Sequence, residues 1–99
     1  MPMNFRLEGE AGRYRAIGSL TFATARTALT EVGARIAGDR EVYVDLSGVS
    51  AADSAGLALL IEWYCAAERA QHSIRFGSVP ESLRALAKIS DVDQFLPFD

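Results

Sequence analysis

The sequence predicts a small α/β domain in which strands and helices alternate. Three observations carry that reading. The run Val42-Tyr43-Val44-Asp45-Leu46 is β-branched, aromatic and nearly apolar throughout, as a strand covered on both faces is. Phe22, Ala25, Leu29, Val32 and Ile36 recur at spacings of 3, 4, 3 and 4, the period of a helix. In the second half, strand and helix patterns alternate, which implies parallel βαβ crossovers.

Taken in order, residues 3–8 and 13–18 read as two short strands, Phe5 and Leu7 alternating with Arg6 and Glu8 in the first. Gly9-Glu10-Ala11-Gly12 between them is hairpin material, and Gly18 closes the second strand. A helix spans about Phe22 to Ala37, with Thr21 as N-cap and Gly38 just past its end. The strand over Val42–Leu46 ends in a Ser47-Gly48 turn, and a second helix runs from about Ala55 to Ala70. Ile74-Arg75-Phe76-Gly77 is a further strand. Ser78-Val79-Pro80-Glu81 fits a capping box that opens a third helix, about Val79 to Ile89, with Leu83, Leu86 and Ala87 inward. A last turn or helix, Asp91 to Leu96, docks Val92, Phe95 and Leu96.

Composition narrows the function. At 99 residues the chain reads as one domain, 1–99. An apolar share of 49% with 23% charged residues argues against disorder. A net charge of −3 gives no basic field to hold nucleic acid or anionic headgroups. One cysteine excludes an intramolecular disulfide, and one histidine beside it leaves no zinc ligand set. The uncharged run Ser54–Ile61 is far short of the ~20 residues of a membrane helix. The first ten residues hold no apolar signal core, so a cytoplasmic protein is expected. No GxGxxG, P-loop, GxSxG or HExxH occurs, so no catalytic residue, metal site or cofactor is assigned. His72 reads as a loop residue and Cys65 as a small core hydrophobe.

The informative segment is 44–61, VDLSGVSAADSAGLALLI. A helix starting at Asp53-Ser54 offers free N–H groups and a partial positive charge. A phosphate on Ser54 would add about −1.5 to −2 charge there. The plainer reading makes Asp53 or Ser54 an N-cap. Asp45 at the end of a strand and Asp53 at the start of a helix are expected at one rim of the sheet. Turn and cap chemistry accounts for both more simply than acid–base work, since no histidine or lysine stands near them in sequence. The helix is also apolar on two sides: Leu57, Leu60, Ile61 and Tyr64 form one, Leu59, Trp63 and Ala66 the other. Such a helix is buried on both sides or meets a partner. Leu59 and Trp63 therefore read either as contact residues or as residues packed under a loop.

VDLSGVSAADSAGLALL resembles the signature of STAS domains, a strand ending Asp-Leu-Ser followed by Asp-Ser/Thr-x-Gly-Leu at a helix start. The order of elements matches that fold over nearly the whole chain. The resemblance implies a mixed four- to five-stranded sheet with helices mainly on one face, in a non-enzymatic binding module. Two single-domain branches fit. In anti-sigma-factor antagonists the residue matching Ser54 is phosphorylated, and the partner is an anti-sigma factor kinase. The STAS subunits of Mla phospholipid ABC transporters are more similar in Asp53-Ser54-Ala55-Gly56-Leu57-Ala58-Leu59-Leu60, Leu86-Ala87-Lys88 and Leu96-Pro97. Ala55 and Ala58 favour that branch, while Gly18-Ser19-Leu20-Thr21 lacks an acidic stretch common in both. The resemblance implies that Asp45, Asp53, Ser54, Ala55, Gly56, Leu59 and Trp63 contact an ATPase subunit, which holds the protein peripherally at the inner membrane.

Overall fold

The computed structural model describes residues 4–99. Its elements are β1 (Phe5–Glu10), β2 (Arg13–Leu20), α1 (Ala25–Gly38), β3 (Glu41–Ala52), α2 (Ser54–Ala70), β4 (Ser73–Gly77) and α3 (Glu81–Ile89). The expected start of the first strand at Met3 lies outside the described residues. The sheet order is β1-β2-β3-β4, antiparallel between β1 and β2 and parallel in the other two pairs. The fold is therefore a mixed four-stranded α/β sheet. A single bridge from Phe76 to Phe98 adds the trace of a further strand.

Strand alternation sorts the two faces. Phe5, Tyr14, Ala16, Leu20, Val42, Val44, Leu46, Ile74 and Phe76 point into the core beneath the helices. Arg6, Glu8, Arg13, Arg15, Tyr43, Asp45 and Arg75 line the open face. There, opposite charges stand across strands: Glu8 against Arg15, Glu10 against Arg13, Arg15 against Asp45. The Arg13 guanidinium lies 4.8 Å from the centre of the Tyr43 ring, which covers Gly77. Helix α2 packs against α1, α3 and the sheet at once, so it is the central helix of the layer.

Several expected boundaries move. The hairpin closes on Ala11 and Gly12 alone, at φ of 56° and 85°, as a tight turn that matches the strand twist needs. Strand β3 does not turn at Ser47-Gly48 but runs on to Ala52, with register shifts against β2 on either side of Ile17 and Gly18. Gly48 belongs inside it, because a Cβ there would stand 2.7 Å from the Ala16 carbonyl. Helix α1 begins at Ala25 rather than Phe22. The capping box does not form: Ser78 is left-handed at φ 52°, and Pro80 is the cap of α3. Past α3 the chain makes turns that bury Leu96 but leave Phe95 half-exposed against Tyr64. His72, half-buried in the link before β4, is tied by its Nδ1 to the Ile36 carbonyl at 2.8 Å and so links to α1.

One polar contact fixes the α1–β3 loop. The Tyr14 hydroxyl, on a buried side chain, donates to Asp39 Oδ2 at 2.5 Å. The bond to that carboxylate, then burial, raises the phenol above its ordinary value. A raised folded pKa contributes stability that is complete below the unfolded value, near 10, and is lost as pH climbs through the folded one. Chemical denaturation across pH 9–12 is expected to show an alkaline loss that Tyr14→Phe reduces. An identical limb in both proteins would assign that loss to other groups.

Candidate functional site

The site forms where the ends of β2 and β3 meet the start of α2. Asp53 is the N-cap, in extended conformation. Its Oδ1 accepts from the N–H of Ala55 at 2.9 Å and of Gly56 at 3.4 Å. Its Oδ2 accepts from the N–H of Phe22 at 3.3 Å. One carboxylate thus holds two segments distant in sequence, and the helix N-terminus stabilises its charge. All three donors are backbone groups, so Asp53 builds the rim.

Ser54 is the first helical residue and is exposed. Its hydroxyl makes no hydrogen bond among the described residues. Ala55 is half-buried and Ala58, one turn on, is exposed. Gly56 is buried: a Cβ would stand 2.5 Å from the Leu20 carbonyl and 3.4 Å from Leu83 Cδ2. Glycine lets α2 close against the end of β2, so Gly56 shapes the site from below without forming its surface.

The loop between β2 and α1 completes the rim. The buried Thr24 hydroxyl donates to the Ser19 carbonyl at 2.7 Å and accepts from the Thr21 N–H at 3.1 Å. That tie folds residues 21–24 back before α1 begins, and it turns Phe22 outward. Phe22 is 86% exposed, the most exposed large apolar side chain described. Sequence reading placed it on the buried face of α1, because its spacing suits the helical period.

Three expected contact residues stand elsewhere. Leu59 is 5% exposed and Trp63 is 0% exposed, with the indole 6.3 Å from the Phe76 ring. Both are core residues, because α2 is covered by α1 on one side and by α3 and the sheet on the other. Asp45 does not share the rim. It lies within β3 on the open face, opposite Arg15, and accepts from the Ser47 N–H at 2.8 Å. Continuation of β3 to Ala52 separates it from Asp53 by roughly 20 Å of strand. The structure thus brings together Asp53, Ser54, Ala55, Ala58 and Phe22, a surface whose one charge is already bonded. Among the described residues no group of His, Cys, Asp and Glu could hold a metal ion.

This geometry has counterparts. No curated protein matches the chain in sequence. An anti-sigma factor antagonist from Mycobacterium paratuberculosis is similar in fold at TM-score 0.73 and 21% identity, over 95% of this chain and 82% of that one. An anti-sigma-factor antagonist (STAS) domain protein from Planctomyces limnophilus is similar at TM-score 0.72 and 19% identity, over 96% and 88%. Part of the murine anion transporter Slc26a9 is similar at TM-score 0.57 and 20% identity, over 88% of this chain but 14% of that one. These likenesses are of fold. A family model described as Mlab, STAS domain, matches residues 3–97, and the chain belongs to that STAS family.

Proposed function

We propose that this chain is a non-enzymatic accessory subunit of an Mla-type phospholipid ABC transporter, docked on the ATPase subunit by the rim at the start of α2. The observation that carries the reading is a small-residue helix start, with Ser54 and Ala58 exposed and Ala55 half-buried, and the unburied Phe22 beside it. Small residues let a partner approach closely, and an exposed aromatic beside them is a typical anchor. The description of the matching family model supports the transporter branch. The protein contributes no chemistry. It binds the folded ATPase and stabilises it by mass action. In this reading it is cytoplasmic and reaches the inner membrane only through its complex, as no helix among the described residues is long and apolar enough to cross one.

The test is a coexpression pull-down with the ATPase and permease subunits of the same organism's phospholipid transporter. A stoichiometric complex is expected, and Phe22→Asp is expected to lose it while the domain melts as the wild type does. No complex at micromolar concentration would overturn the reading.

A second reading, an anti-sigma-factor antagonist, is favoured by one observation. The Ser54 hydroxyl is exposed and unbonded, so a kinase can reach it. Phosphate there would add charge and bulk to the docking rim. Intact mass of the protein from its native cell tests this, and absence of phosphate in every growth condition would exclude it.

A further inference from the structure

The two edges of the sheet are treated differently. At β4 the C-terminal tail covers the edge: the Phe76 N–H donates to the Pro97 carbonyl at 3.0 Å and the Asp99 N–H to the Phe76 carbonyl at 2.8 Å. At the other side β1 is the last strand, and no further strand among the described residues pairs with it.

The bonding pattern says which of its groups are open. The Ser19 N–H donates to the Asn4 carbonyl at 2.9 Å, and Phe5 stands opposite Gly18. In an antiparallel pair, bonded and non-bonded positions alternate. Arg6 and Glu8 therefore turn their backbone groups toward β2, and Phe5, Leu7 and Gly9 turn theirs outward. Leu7 is only half-buried, although it lies on the core side. On the open face, Arg6 and Glu8 are exposed and flank Leu7, 3.0 Å apart as an ion pair within one chain.

We propose that β1 is a self-association edge that takes a second copy of this chain, paired antiparallel about Leu7. With Leu7 on the two-fold axis, its outward N–H and carbonyl meet those of the second copy's Leu7. Arg6 then stands opposite the second copy's Glu8, and Glu8 opposite its Arg6. Those are non-bonded positions, where side chains approach most closely. A shift by one residue would set Leu7 against a charge and break the alternation of faces. The pairing joins the two sheets into one through the edge of β1 and uses no residue of the start of α2, so it does not rest on the partner proposed for the rim. An open edge usually carries charges that repel further strands. Registers shifted by two residues also pair the outward backbone groups but set Arg6 against Arg6 or Glu8 against Glu8, whereas the Leu7-centred register sets opposite charges against each other.

The experiment is sedimentation velocity and light scattering on the purified full chain from micromolar to millimolar concentration. A concentration-dependent dimer is expected. Arg6→Glu, which sets like charges opposite each other twice, is expected to weaken it by roughly tenfold or more. The exchange Arg6→Glu with Glu8→Arg restores it, with thermal melts confirming that both variants fold. A monomer throughout the range overturns the proposal, and so does a dimer that neither variant changes.

Discussion

Trp63→Glu is expected to leave no folded domain, read as loss of the cooperative thermal transition and of near-ultraviolet circular dichroism. The indole is fully buried between α2 and Phe76, and it is among the largest side chains in the core. Truncating a buried tryptophan costs about 3–5 kcal/mol. An unpaired carboxylate in the same place costs several kcal/mol more or forces protonation. The sum is comparable with the whole stability of an ordinary domain, about 5–15 kcal/mol. Trp63→Phe keeps an aromatic in the space and is expected to fold with a lower melting temperature. A native-like melt for Trp63→Glu would contradict the burial of the indole. It follows that a binding defect in this variant reports on folding, so Trp63 cannot probe a partner surface.

Ser54→Arg is the variant that can. Ser54 is exposed, so no core packing is lost, and a cation at a helix N-terminus costs only about 0.3–1 kcal/mol. The melting temperature is expected to stay within a few degrees of the wild type. If the proposed function holds, docking on the ATPase weakens by about 2–4 kcal/mol, roughly 30- to 1,000-fold in dissociation constant. Arginine puts bulk and charge in the middle of the surface formed by Ala55, Ala58 and Phe22, where a close-fitting partner leaves no room. Ser54→Ala serves as the control: it removes only an unbonded hydroxyl and is expected to bind as the wild type does. Retained affinity in Ser54→Arg would move the interface away from this rim.

The elements with local signals were legible. The alternation of Phe5 and Leu7 with Arg6 and Glu8 marks β1 without any knowledge of its neighbour. The small-residue segment before Leu57 marks the start of α2, and Asp53 there has the short side chain that a cap requires. Where sequence reading failed, the missing information lay in another element. Ser47-Gly48 has turn composition, yet β2 stands close enough to demand glycine inside a strand. That extension carries Asp45 onto the open face and away from Asp53. Ser78 has the side chain for a capping box, but its left-handed backbone directs the chain into Pro80.

The periods of the apolar residues and the Asp-Ser helix start are properties of this chain by itself. They determine a small α/β domain with its candidate site at the start of α2. What the periods leave open is what each face meets. The two apolar sides of α2 allowed either a partner or a roof, and three-layer contact with α1, α3 and the sheet made Leu59 and Trp63 core. Phe22 fits the α1 period and is nevertheless outside it, because the Thr24 hydroxyl ties the loop to Ser19 before the helix begins. Local propensity acts between residues a few positions apart. Burial depends on which distant segments close over a side chain, so only the tertiary structure decided which apolar residues are core and which remain for a partner.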